Sequence, residues 1–178
     1  MPDFQAFKLP SAPIRQALNV FEEDDKDIPS TSGHPQPSVQ DLEELGNLAA
    51  GREEWSTALT HWDAALRLSP EHQMAAKLLE AKAQVLIELG RTFEAIKSST
   101  AATELAPNFA AAFLTLGRAQ LNFGEPEYAV QSLERAIKLD FQGEVAAAAT
   151  LDLADAQELQ LRRRQRGEEA SGTRVHFK

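Results

Sequence analysis

From Ser38 to Gly143 the apolar residues recur at spacings of three and four, and the pattern breaks near Gly51, Pro70, Gly90, Pro107 and Gly124. That period predicts amphipathic helices, and the breaks divide the stretch into short helices joined by tight turns. Beyond Gly143, the segment Glu144 to Arg166 places Val145, Ala149, Leu153, Ala156 and Leu159 on one face and ends in Arg162, Arg163, Arg164 and Arg166. It predicts one more amphipathic helix, polar at its far end. The first 37 residues behave differently: six of the nine prolines fall there, together with Ser30, Thr31, Ser32 and Gly33. Proline at that density removes backbone donors and prevents a packed helical layer, so residues 1–37 are expected to form a flexible arm. Residues 167–178 are polar and read as a frayed tail.

Composition sharpens this picture. The chain has 29 Ala and 22 Leu against 6 Val and 5 Ile, an excess of strong helix formers over β-branched aliphatics that predicts an all-α protein. Lys plus Arg is 18 and Asp plus Glu is 27, a net charge of −9, which argues against general coating of nucleic-acid phosphates. There is no cysteine, so disulfides, thiolate metal sites and thiol chemistry are excluded, and an intracellular setting is expected. No apolar run has the length of a membrane span, and residues 1–8 lack the order of a secretory signal.

The helical stretch repeats. Ala58, Ala95 and Ala129 correspond at spacings of 37 and 34, and so do Ala65, Ala102 and Ala136, and Pro70, Pro107 and Phe141. A period of about 34 belongs to stacked helix-turn-helix units. The first copy resembles the tetratricopeptide repeat (TPR) family at Leu42, Leu45, Gly46, Trp55, Ala58, Trp62, Ala65 and Pro70. The third matches at Leu116, Gly117, Gly124, Ala129, Leu133 and Ala136 but has Phe141 at the closing proline. The second departs furthest: Lys82 and Ala83 stand where the family prefers a large aliphatic and glycine, although Leu79, Gly90, Ala95, Ala102 and Pro107 hold. The resemblance implies a short TPR helical-hairpin solenoid, with repeats at 39–72, 76–109 and 110–143, a C-terminal capping helix at 144–166, and the whole domain spanning 38–166. A repeat unit cannot bury its own faces alone, which is why a terminal helix is needed. The segment order is most like a small three-repeat animal member of the family.

The family binds extended peptides or partner helices along a concave surface lined by the first helix of each repeat. Carried onto this sequence, the groove positions are Gln40, Glu43 and Asn47, then Lys77, Glu80, Gln84 and Ile87, then Leu114, Arg118 and Leu121. Asn47, Gln84 and Arg118 are expected to form a polar row, with the aliphatic members gripping apolar side chains; the plainer alternative is that all are ordinary exposed helix residues. Chaperone-binding relatives hold a C-terminal carboxylate with a Lys and an Asn in the first repeat, an Asn in the second, and a Lys and an Arg in the third. Only Asn47 matches. The other places read Glu43, Ala81, Ala111 and Thr115, so this clamp is not expected here.

Two further segments are candidates for binding. In the arm, Phe4, Phe7, Leu9, Ile14, Leu18 and Phe21 set large apolar groups into a polar stretch, the pattern of a segment that orders on a partner surface. The arginines Arg162, Arg163, Arg164 and Arg166 offer at most minor contact to RNA phosphate, or simply complement the dipole of their helix. Chemistry is otherwise sparse. His34, His61, His72 and His176 include no pair at helical ligand spacing, and no phosphate loop or nucleophile elbow is present. No metal, cofactor, small-molecule substrate or membrane is expected. The function read from the sequence is a non-catalytic adaptor that holds protein partners. Within the family the resemblance implies a place at the periphery of a nuclear ribonucleoprotein, spliceosome-associated assembly; a cytoplasmic adaptor or co-chaperone lacking the carboxylate clamp is the alternative.

Overall fold

A computed structural model of the chain describes residues 36–165 apart from Ser69. Within them lie seven helices and no strand: α1 (Val39–Gly51), α2 (Trp55–Arg67), α3 (His72–Glu88), α4 (Thr92–Leu105), α5 (Ala110–Phe123), α6 (Pro126–Leu139) and α7 (Glu144–Gln165). The all-α solenoid expected from the sequence is what forms. The 37-residue spacing between the first two repeats has a local cause, because α3 begins at His72 and runs 17 residues against 13 and 14 for α1 and α5.

Consecutive helices pack as antiparallel hairpins, and small residues set how closely they approach. Ala58, Ala95 and Ala129 on the second helices are completely buried, as are Ala65, Ala102 and Ala136 two turns later. On the first helices, Gly46 lies directly beneath the indole of Trp62, and a Cβ on Gly117 would stand 2.6 Å from Leu133 Cγ. The second repeat uses the same register with other sizes: Ala83 replaces the glycine, and its counterpart of Trp62 and Leu133 is Ser99, fully buried and donating its hydroxyl to Ala95 O at 2.7 Å. Bulk on one helix is exchanged for bulk on the other, so Ala83 is a compensated departure from the repeat pattern. Trp62 thus fills space over the first helix of its own repeat, while joining a cluster with Leu78, Val85 and Leu86 of the next.

The turn inside each hairpin is one recurring construction. The N–H of Gly90 donates to Ile87 O and that of Arg91 to Leu86 O; Gly124 and Glu125 do the same to Leu121 O and Gln120 O, and Glu53 and Glu54 to Ala50 O and Ala49 O. These paired bonds close the last helical turn and require a left-handed residue, supplied by Gly90 (φ 69°) and Gly124 (φ 87°). In the first repeat the same place is held by Glu53 at φ 61°. A side chain there crowds the following carbonyl oxygen, so Glu53→Gly is expected to stabilise the fold by about 1 kcal/mol. Urea unfolding followed by circular dichroism checks it.

Helix ends explain two other sequence features. Ser38 and Asp41 form a reciprocal cap on α1: Asp41 N donates to Ser38 Oγ at 3.2 Å, and Ser38 N to Asp41 Oδ2 at 2.8 Å. Those bonds from Ser38 hold the Asp41 carboxyl below its ordinary pKa. Phe141, where the family has proline, is 77% exposed and makes no closure. Asp140 does so instead, its Oδ2 accepting from Val145 N at 3.0 Å and Ala146 N at 3.2 Å at the start of α7.

Helix α7 keeps the repeat register and buries Ala146, Ala149 and Ala156. Its Leu151 stands where Gly46, Ala83 and Gly117 stand in the repeats and is 73% exposed. A leucine at that place prevents the close helix approach that glycine permits, which suits α7 to covering the stack. No described helix is long and apolar enough to cross a membrane.

Candidate protein-interaction groove

The direction of curvature follows from which helices touch. Helix α3 packs on α5 and α5 on α7, whereas no two even-numbered helices pack extensively on each other. Helices α3, α5 and α7 therefore line the inner face, α1 is held through its hairpin with α2, and the groove positions that the resemblance names on α1, α3 and α5 fall into three kinds.

Gln40, Asn47, Lys77 and Gln84 are exposed, and Glu43 is half-buried beside them. These form the polar wall of the face. Leu114 is buried and packs with Ala129 and Leu133, so its side chain belongs to the core; Ile87 and Leu121 are half-buried against the two larger core clusters. Arg118 is exposed, but its guanidinium donates to Asp152 Oδ2 of α7 at 2.6 Å. Of the expected row of donors, Asn47 is exposed, Gln84 is exposed with its amide donating to Glu80 Oε1, and Arg118 is held in an internal ion pair. That pair is partly exposed and contributes at most about 1 kcal/mol.

Glu80 is the unexpected member. It is only 8% exposed, and its Oε1 accepts from the Thr115 hydroxyl at 2.7 Å and from the amide of Gln84 one turn along α3. Thr115 is itself buried at 3% exposure. The family resemblance placed Glu80 on the groove but did not reveal that it links α3 to α5. The signal was present, since 80 and 115 are separated by nearly one repeat, as are 118 and 152.

The arm residues Phe4, Phe7, Leu9, Ile14, Leu18 and Phe21 lie outside the described residues, as does Arg166. Of the remaining arginines, Arg162 pairs with Glu158 at 2.6 Å, Arg163 reaches Glu127 at 3.2 Å, and Arg164 is exposed. Two of the three are therefore engaged within the domain. A second feature escaped sequence reading: Phe93 and Phe123, 60% and 46% exposed, meet with ring centroids 6.0 Å apart where the turns of repeats two and three adjoin. Among the described residues no group of three or more His, Asp or Glu is arranged to hold a metal ion.

Comparison with known proteins agrees with this geometry. Residues 76–109 and 110–142 match the tetratricopeptide repeat model. The first repeat, which carries the most of the family's residues, is outside those matches although α1 and α2 form the same hairpin. The chain is 41% identical over 93 residues to Tetratricopeptide repeat protein 33 of Xenopus laevis, covering 52% of this chain and 35% of that protein. It is 35% identical over 98 residues to the protein of the same name from Homo sapiens, covering 55% and 36%. The chain thus spans about a third of the length of the curated relatives it matches. Among solved structures, the Sgt2 TPR domain from Aspergillus fumigatus superposes with a TM-score of 0.65 at 23% identity, covering 81% of this chain and 92% of that one. The first TPR of Spaghetti (RPAP3), bound to the HSP90 peptide SRMEEVD, gives 0.64 at 18% identity, covering 70% and 94%. The described helices form a TPR-like solenoid: two of its hairpins match the tetratricopeptide repeat model, and the solved structures share the fold. The relatives carry the name Tetratricopeptide repeat protein 33 and not that of osmosis-responsive factor, the small animal protein expected from the segment order.

Proposed function

We propose that this chain is a non-catalytic adaptor that holds an extended segment of a protein partner along its concave face. The observation that carries the reading is the convergence of α3, α5 and α7 into one inner face with Gln84 exposed on α3, and Asn47 exposed at the equivalent repeat position on α1, since amide side chains there can pair with the backbone of an extended ligand. The repeat family in general serves protein interaction, which agrees with it. Gln40, Glu43, Lys77, Arg118 and the exposed edges of Ile87 and Leu121 complete the surface. The arm, through Phe4, Phe7, Leu9, Ile14, Leu18 and Phe21, supplies a second attachment whose tethering raises the effective concentration of the first.

The carboxylate-clamp version of this function is disfavoured. Three structural neighbours are chaperone complexes: the first TPR of Spaghetti (RPAP3) with an HSP90 peptide, the second TPR domain of human RPAP3 with an HSP70 peptide, and the TPR2B domain of yeast Sti1 with pHsp70. Here the clamp places hold Glu43, Ala81, Ala111 and Thr115, and Thr115 is buried and committed to Glu80. We also place the protein at the periphery of a nuclear ribonucleoprotein assembly, with a cytoplasmic adaptor as the second reading. Its support is the family resemblance and the exposed Arg164.

Affinity purification of the full chain, with mass spectrometry before and after nuclease treatment, tests both levels. Asn47→Trp obstructs the groove without touching the core, and it is expected to reduce recovery of the main partners at least fivefold. Unchanged recovery sinks the groove reading; recovery insensitive to nuclease, with no ribonucleoprotein components, sinks the assembly.

A further inference from the structure

The centre of the concave face carries a carboxylate whose immediate partners are neutral. Glu80 is more than nine-tenths buried, yet no Lys, Arg or His lies within ion-pairing distance of it among the described residues. Both of its hydrogen bonds, from Thr115 and Gln84, fall on Oε1. Trp62 Nε1 is the only fully enclosed side-chain nitrogen or oxygen without a partner among the described residues. No described residue donates to Glu80 Oε2, and that oxygen is not fully enclosed, so part of its surface stays open. A carboxylate in such a place is costly to desolvate unless a positive group completes it.

The surroundings add to the same charge. Glu43 occupies on α1 the position that Glu80 occupies on α3, at a place where clamp relatives carry a lysine. Arg118, the cation next along the inner face, is neutralised by Asp152, and Asp155 follows one turn later on α7. Lys77 is the only other cation among the groove positions, and it is exposed at the start of the row. The polarity of the clamp is therefore reversed at its centre. Thr115 stands where a cation would meet a ligand carboxylate, and it is used to hold a carboxylate of this chain.

We propose that the groove recognises a basic segment, and that Glu80 Oε2 accepts a hydrogen bond from a lysine or arginine side chain of the bound peptide, with Glu43 contributing attraction from α1. This rests on the groove being the binding face. Thr115 and Gln84 act as positioning residues, fixing Oε1 so that Oε2 points outward. Charge-assisted bonds of this kind, formed in a partly desolvated setting, set register as well as affinity.

The test is selection of a random twelve-residue peptide library on the full chain, followed by fluorescence anisotropy of the enriched peptides. Enriched sequences should share a Lys or Arg at one position. Glu80→Gln keeps an acceptor for Thr115 and should weaken their binding at least tenfold, while Glu134→Gln on the outer helix α6 leaves it unchanged. Replacing the peptide's lysine by acetyl-lysine, which requires no change in the protein, should give a loss of similar size. If Asn47→Trp abolishes binding but neither Glu80→Gln nor acetylation weakens it, the groove binds peptide and the basic-segment inference is overturned. If Asn47→Trp and Glu80→Gln are both without effect, binding occurs elsewhere and the groove reading falls with it.

Discussion

Gly117→Ala should destabilise the native protein and stabilise a Leu133→Ala variant of it. The added methyl in the native background stands 2.6 Å from Leu133 Cγ and 2.7 Å from Cδ2, inside van der Waals contact with a completely buried side chain. Overpacking of this kind costs about 1–3 kcal/mol, against which the better helix propensity of alanine returns only about 1 kcal/mol. Leu133→Ala alone removes a side chain from the cluster of Leu114, Ala129, Ala136, Ala149 and Ala156 and should cost about 2–5 kcal/mol. With the leucine gone, the methyl at 117 meets no obstacle and fills part of the cavity. The double variant is thus expected to be more stable than Leu133→Ala, with a coupling energy of about 1–3 kcal/mol. Urea denaturation of the four proteins in the cycle measures it, and additive effects would mean that α5 and α6 are not in this register.

The second large effect is at Trp62, 2% exposed and shared between the first and second repeats. Trp62→Ala should cost about 3–5 kcal/mol, a large part of the stability of a domain this size. Trp62→Phe has a different balance. The indole Nε1 is enclosed without a hydrogen-bond partner, and leaving such a donor unpaired costs about 1–3 kcal/mol. Phenylalanine removes the donor along with some packing, so the two changes offset and the net cost should stay below about 1.5 kcal/mol. A thermal melt placing Trp62→Phe as low as Trp62→Ala would show that the indole nitrogen finds a partner in solution.

The hairpins were legible in the sequence because they depend on local pattern: the period of Ala58, Ala95 and Ala129, and the glycines ending α3 and α5. The second repeat looked weakest because Lys82 and Ala83 were compared with the family one position at a time. Structure pairs Ala83 with Ser99 by register and Lys82 with Asp63 of α2, so each departure has a partner one helix away. The groove positions fall on α1, α3 and α5, but Glu80, Leu114 and Arg118 depart from the roles expected of them. Burial of Glu80 and Leu114 depends on how far α5 tilts onto α3, and the engagement of Arg118 depends on α7, neither of which is encoded within a single helix. Glu53 escaped notice for the opposite reason: its left-handed conformation is demanded by the turn and not advertised by the residue type.

The central claim, that partners are held on the inner face of the solenoid, is tested most directly by site-specific photo-crosslinking. The photoreactive residue p-benzoylphenylalanine would be placed at Asn47 on α1, or at Glu134 on the outer helix α6, in the full chain, and irradiated in cell extract. A discrete set of protein adducts should form from Asn47, be absent from Glu134, and diminish when Glu80→Gln is added. The same adducts from both positions, or adducts from Glu134 alone, would contradict the account.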